Sequence, residues 1–298
     1  MSGLDHVAKM IRDYVGDGTP ASGDILKGYA GLYAATGKKQ FRDYALERFA
    51  AIPAEDAGDK GLPDYAAALF FALDETGDER YRDAIERFAV RARSVCENAR
   101  ASAEEICVAL PFYAAYEMRF DGKREIGNVV SAFRRLRDSL YDEERGLYAA
   151  SPEEKKRARF SLLPAARILA ALVDCAEIVD EQLYEHRRGI CELFREAVPG
   201  LLPRLDGETN LFNGILEPAD APDNAPDFVG TALAAYAVMK GVRLGVLNSE
   251  KVMPYGTRAF LGVHMSAFRK KRDEAGPGAL AGPFMLALGE YHRTGKEM

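Results

Sequence analysis

The strongest constraint on this chain is a turn that occurs twice, 40 residues apart. Thr36-Gly37-Lys38-Lys39-Gln40-Phe41-Arg42-Asp43 returns as Thr76-Gly77-Asp78-Glu79-Arg80-Tyr81-Arg82-Asp83. Before each copy stands an apolar segment with helical spacing: Ile25, Tyr29, Leu32 and Tyr33 before the first, and Ala68, Phe71, Ala72 and Leu73 before the second. After each copy a second helical segment ends in Glu-Arg-Phe, at 47–49 and 86–88. A glycine after a threonine suits a helix C-cap, where positive φ costs little. The aromatic four residues later pins the returning helix. Each unit is therefore a helical hairpin, and a third partial copy spans Tyr291 to Lys296.

Helical periodicity continues through Ala166, Leu169, Ala170 and Val173, and strand-like alternation is nearly missing. Gly or Pro breaks the helices at Gly16-Asp17-Gly18, Pro53, Gly58 to Pro63, Gly122, Pro152, Pro199 and Pro203. Hairpins of about 40–50 residues fit six times into 298 residues. An open solenoid would keep its repeat along its length and carry polar caps. Here the repeat fades after the second copy and a long irregular stretch runs from Pro203 to Asp227. The expectation is an all-α fold, a closed (α/α)6 barrel of six helical hairpins, as one domain over 1–298. At 32.7 kDa such a chain buries about three quarters of its unfolded surface, enough for a large core without staples.

Composition removes several function classes. With 40 Lys+Arg against 46 Asp+Glu the net charge is −6, without the basic stripe that nucleic acid requires. The run Arg269-Lys270-Lys271-Arg272 is closed by Asp273 and Glu274 and reads as a solvated loop or helix end. No apolar run reaches membrane-spanning length, and the first sixteen residues lack the basic and apolar regions of a signal peptide. Cys96, Cys107, Cys175 and Cys191 show no CxxC spacing and are expected as reduced thiols in a cytoplasmic protein. His6, His186, His264 and His292 form no ligand pattern, so neither a metal nor another cofactor is expected. No G-x-S-x-G elbow is present, and the Gly-rich run Gly276 to Gly282 follows no strand and lacks the Lys-Ser/Thr of a phosphate loop. The acidic stretch Glu217 to Asp227 reads as a solvated barrel-mouth loop, with an open calcium site as the sharper alternative.

Several segments, in order, resemble the unsaturated glucuronyl and rhamnogalacturonyl hydrolases of glycoside hydrolase families 88 and 105. They are the Thr-Gly-Asp-Glu-Arg-Tyr turn, Val108-Ala109-Leu110-Pro111-Phe112-Tyr113-Ala114, Gly146-Leu147-Tyr148, Tyr236 to Gly245, and Gly282-Pro283-Phe284-Met285-Leu286-Ala287. The resemblance runs from about Gly23 onward and implies the (α/α)6 barrel. Its implied chemistry is protonation of the C4–C5 double bond of an unsaturated uronic acid by an Asp. Water then adds at C5, and the resulting hemiketal collapses to release the sugar. Pro111, inside a helix, removes one backbone bond and bends it, which would position the preceding turn at the barrel mouth.

In a gap-free alignment the family's acid falls on Glu104 and its Trp on Ser102. Glu104 is the expected acid, with Asp64, beside the family's D-x-I-N-x-G positions, as its partner across the mouth. Each also has a plain reading, Glu104 as a favourable acid at a helix start and Asp64 as a loop or capping Asp. The family's His after Gly-Leu-Tyr is Ala150 here, and its R-G-N-G-W falls on Leu163 to Arg167, leaving Arg167, or Arg159 after a slip, as the cation for a carboxylate. The chain has no Trp, so Tyr113, Tyr148 and Phe212 are the candidate sugar platforms, with core packing as the alternative for each. Asp227 falls where the family has its later Glu and is a further candidate for substrate binding. The expected partner is a small molecule, a saccharide under the resemblance. Two other classes stay open: a barrel turned to another acid-catalysed reaction, and a non-catalytic descendant that binds a ligand or a partner chain.

Overall fold

The repeated turn is built as its sequence predicts. Gly37 and Gly77 take φ of 66° and 65°, and their N–H groups cap the carbonyls of Tyr33 and Leu73. The preceding threonines complete the stop. Thr36 and Thr76 each donate Oγ1–H to the carbonyl four residues back, at 2.7 Å, and accept from the N–H two residues on, at 3.2 Å. Thr294-Gly295 repeats the arrangement, with φ 72° at the glycine and a 2.7 Å bond from the Thr294 hydroxyl to Tyr291. After the turns, Phe41 is buried in the core and Tyr81 packs edge-on against Phe49, with ring centroids 5.9 Å apart.

This computed structural model describes residues 9, 11–12, 22–50, 62–222, 224–266 and 277–295. The breaks expected at Gly16 to Gly18, Pro53 and Gly58, the basic run Arg269 to Arg272, and His6 lie outside the described residues. The hairpins are α1 (Gly23–Thr36) with α2 (Lys39–Ala50), α3 (Leu69–Thr76) with α4 (Glu79–Glu97), and α5 (Ala103–Arg119) with α6 (Ile126–Leu140). A short α7 (Pro152–Lys156) precedes α8 (Leu162–Ile178) with α9 (Tyr184–Leu201), α10 (Phe228–Arg243) with α11 (Ser249–Ser266), and finally α12 (Pro277–Arg293).

One helix of each pair is inner. The inner helices pack in the order α1, α3 with the 3-10 turn before it, α5, α8, α10, α12, and α12 returns to α1 to close the ring. Closure rests on small residues. Gly28 and Gly31 of α1 face Met285 and Leu286 of α12, and a Cβ on Gly282 would collide with the backbone of Asp24. The barrel expectation thus holds against the solenoid. Composition explains which helix is inner. α8 and α10 bury most of their residues, down to Ala165, Ala166, Ala171, Ala232, Ala234, Ala235 and Ala237, whereas α4 and α6 bury a single stripe.

Three local expectations change. Pro199 does not break a helix, because α9 runs through it to Leu201. Pro152 opens a helix, standing at the first helical position behind the Ser151 cap, where its missing N–H costs nothing. Short strands do exist: β1 (Tyr141–Asp142) pairs with β2 (Leu147–Tyr148), and β3 (Phe160–Ser161) pairs with β4 (Ile215–Glu217). The β1–β2 turn needs Gly146 at φ 66°, which is why Gly146-Leu147-Tyr148 reads as a motif. β4 and the Asn213–Pro226 bridge organise the stretch from Pro203 to Asp227 that looked irregular. Among the described residues no helix is long and apolar enough to cross a membrane, and the four cysteines are free thiols.

Candidate active site

Because outer helices return antiparallel between successive inner ones from α1 to α12, the inner helices run in the same direction. Their N-termini gather at one end of the barrel, where the helix dipoles make the potential positive. The first turn of α5 is fixed there by a capping box. Ser102 Oγ accepts from the Glu105 N–H at 3.2 Å, and the Glu105 carboxylate accepts from the Ser102 N–H at 2.8 Å. Glu105 is thereby spent on the cap, while Glu104 beside it is left pointing outward with its side chain 78% exposed.

Glu104 meets Arg167 of α8. The guanidinium donates to Glu104 Oε1 at 3.4 Å, across 63 residues of sequence. The pair stands over a cavity of about 270 Å³ lined by Ser102, Ala103, Glu104, Cys107, Ala150, Leu163, Pro164 and Arg167. Its walls come from the N-termini of α5 and α8 and the segment after β2. Burial pushes the Cys107 thiol up to about 12, so it is a neutral group in this wall and no nucleophile.

Asp227 caps α10, accepting from the Gly230 N–H at 2.8 Å, and its carboxyl is half-buried. Burial raises its pKa above the ordinary value, against the Gly230 and Val229 N–H groups and the Arg167 charge, which pull it down. Arg167 therefore acts on two carboxyl groups, Glu104 by hydrogen bond and Asp227 through its field.

The other expected residues are placed elsewhere. The carboxylate of Asp64 accepts from the Gly23 N–H at 2.9 Å, tying the start of α1 to the chain before α3, and it does not line the cavity. Tyr113 lies about 13 Å further along α5 than Glu104 at 1.5 Å per residue. Its ring stacks on Tyr116 at 6.3 Å, and its hydroxyl donates to Glu125 at 2.7 Å. Tyr148 is buried against Tyr141, with ring centroids 5.0 Å apart. Phe212 is a core residue whose N–H donates to Thr231 Oγ1 at 3.1 Å. None of the three rings lines the cavity. Arg159 is exposed and also apart from it, so Arg167 is the arginine at this cavity. Pro111 leaves α5 uninterrupted from Ala103 to Arg119. In the acidic stretch, Glu217 is held by Arg204 at 2.6 Å, and Asp223 lies outside the described residues. Among the described residues no group of His, Cys, Asp and Glu is arranged to hold a metal ion.

Four residues absent from the expected site form a cluster between α1, α8 and α10. Asp174 of α8 accepts from Tyr236 at 2.5 Å and Lys240 at 2.7 Å, both on α10, and from Lys27 of α1 at 3.2 Å. Burial disfavours the Asp174 charge, but the two lysines and the tyrosine hold its carboxyl well below the usual range. Burial likewise opposes the Lys240 charge, and Asp174, Tyr236 and Glu177 outweigh it. The available sequence signal was a lone charge within an apolar run, as at Asp174 in Ala170-Ala171-Leu172-Val173-Asp174-Cys175-Ala176.

The comparisons with known proteins agree with the fold. The model of glycosyl hydrolase family 88 matches residues 21–285. A family 105 glycoside hydrolase from C. acetobutylicum ATCC 824 superposes with a TM-score of 0.79 at 19% identity, covering 95% of this chain and 98% of that one. A family 88 glycosyl hydrolase from Bacteroides vulgatus gives 0.71 at 15% identity, covering 97% and 96%. The GH76A alpha-1,6-mannanase from Salegentibacter sp. HEL1_6 gives 0.64 at 10% identity, covering 96% and 99%. Among curated proteins none matches this chain.

Proposed function

The chain belongs to glycosyl hydrolase family 88, and from that membership we propose that it processes an unsaturated uronide at the cavity between α5 and α8. One observation carries the reading. Positions far apart in sequence that align with the family's active-site signatures, namely Ser102 and Glu104, Ala150, and Leu163, Pro164 and Arg167, line a single cavity at the inner-helix N-termini. Core packing alone gives no reason for them to converge there.

The chemistry follows from the charges. In the free protein the Arg167 guanidinium balances Glu104. A substrate carboxylate brought to Arg167 places two carboxyl groups on one cation, an arrangement that is relieved when one of them holds a proton. That proton sits on Glu104 and is delivered to C4 of the alkene. Water adds at C5, giving a hemiketal that opens and releases the aglycone sugar. Asp227, raised by burial and within the field of the same arginine, stands outside the cavity lining as the α10 cap and is the supporting carboxyl we assign in place of Asp64. Without Trp, Leu163, Pro164 and Ala150 supply the apolar wall for the ring. We read the chain as one domain acting on a small saccharide without a cofactor, in the cytoplasm.

The test is loss of the conjugated-alkene ultraviolet absorbance on a panel of unsaturated uronic-acid disaccharides. Wild type should consume the alkene. Glu104→Gln, which keeps size and a hydrogen bond but carries no acid, should lower kcat by about 100-fold or more. Turnover by Glu104→Gln at the wild-type rate would remove Glu104 from the reaction.

A further inference from the structure

A second cavity opens at the other end of the barrel. There α10 ends at Arg243, α12 ends at Arg293, and the outer helix α11 begins at Ser249. The cavity has a volume of about 340 Å³, and its lining includes Met239, Arg243, Ser249, Met253, Glu290 and Arg293. It shares no residue with the cavity between α5 and α8. The 16 residues of α10 separate the two ends by about 24 Å at 1.5 Å per residue.

Glu290 builds this wall. Only 5% exposed, it accepts from Arg243 Nε at 2.7 Å and Nη2 at 2.9 Å, one on each oxygen, and from Arg293 Nη1 at 3.1 Å. One buried carboxylate thus holds two guanidiniums side by side. Glu177 also accepts from Arg243 Nη2, at 2.8 Å, but it is matched by Lys240 at 2.7 Å. The lining itself carries two cations against one anion, a surplus of one positive charge. Among the described residues Arg243 Nη1, Arg293 Nε and Nη2, and the Ser249 hydroxyl make no hydrogen bond. Met239 and Met253 add soft, adaptable apolar surface beside them. Guanidiniums already fixed by a buried carboxylate lose little side-chain freedom when they take an anion. Packing alone calls for neither the surplus charge nor an open cavity over it.

We infer that this cavity binds a small organic carboxylate, its oxygens bridging Arg243 and Arg293 and its body lying against Met239 and Met253. One carboxylate supplies the single negative charge that the lining lacks, and its geometry matches the guanidinium fork. At about 340 Å³ the cavity falls within the range of small-molecule sites. A sugar acid and an aliphatic acid present the same group to the two arginines and differ only in the body they bring to the methionines. The site is independent of the reaction proposed for the other end of the barrel.

The test is NMR of the full chain with isotope-labelled methionine methyls. Glucuronate and hexanoate are titrated in separately, with glucose and hexanamide as their uncharged controls. The Met239 and Met253 resonances, assigned with Met239→Leu and Met253→Leu, should shift saturably with at least one acid and with neither control. Met118 and Met285, which line neither cavity, should stay in place. No methionine lines the cavity between α5 and α8, so an acid held there does not produce this signal. Arg293→Gln leaves the Arg243–Glu290 fork intact. By loss of one charge-assisted contact it should raise the Kd read from these shifts about 10- to 100-fold. A response to glucuronate alone assigns the cavity to a sugar acid, and a response to hexanoate alone to an aliphatic acid. No shift with either acid, equal shifts with an acid and its uncharged control, or a Kd unmoved in Arg293→Gln would overturn the inference.

Discussion

At the residue scale, the described residues bury charge in two places, the first being the cluster around Asp174, Lys240 and Glu290. The second is at the far end of α5. Glu117 is fully buried there, its Oε2 accepting from the Glu125 N–H at 2.9 Å and its Oε1 without a partner. Burial raises its pKa, and Asp121 raises it further, while the Glu125 N–H and Tyr113 hydroxyl lower it. A carboxyl whose folded pKa is raised stabilises the fold at pH below its unfolded value and loses that contribution as pH climbs through the folded value. Glu117→Gln keeps the bond from Glu125 and, like the protonated acid, carries no charge. Melting temperatures should therefore nearly coincide at pH 4 and separate toward pH 8, with the variant the more stable. A difference that does not change with pH would show that Glu117 carries no titrating strain.

The same scale shows why parts of the site were not legible. Glu104, marked in the sequence by a helix start, and Arg167, marked by an aligned position, meet at one cavity. Asp64 and Tyr113 carry the right chemistry, yet their partners, Gly23 and Glu125, are set by packing that no local pattern encodes. The left-handed glycines after Thr36 and Thr76, by contrast, are dictated within four residues of sequence, and there the reading needs no tertiary information.

Among the elements, closure of the ring depends on the contact of α12 with α1. Its sequence signature is glycine on both sides: Gly28 and Gly31 against Gly282 and Gly289. Of these only Gly282 was visible, as part of a family motif, because nothing within α12 announces that α1, over 240 residues earlier, is its neighbour. Gly282→Ala is the direct probe. Its methyl would displace the Asp24 backbone at the entry to α1, so it should destabilise by about 1–3 kcal/mol in chemical denaturation. A variant as stable as wild type would mean that α1 and α12 are less closely apposed than described. Prolines tell the complementary story. Pro111, Pro199, Pro254 and Pro283 all lie inside helices, so in this fold proline is a poor guide to helix ends.

For the whole molecule, the barrel was legible from its repeat and its six-fold length, while the position of the site came from order alone. Six parallel inner helices put their N-termini at one end, and motifs 40 to 60 residues apart meet there because each opens an inner helix. What that end does to an alkene is the central claim, and running the reaction in D₂O tests it most directly. Wild type is incubated with an unsaturated uronic-acid disaccharide, and the released uronic product is read by NMR. Protonation of the double bond by a site acid predicts one deuterium at C4, with the alkene absorbance falling in step with release of the neighbouring sugar. Release of a uronic product whose C4–C5 double bond is intact and free of deuterium would mean ordinary glycoside hydrolysis, and would contradict the account.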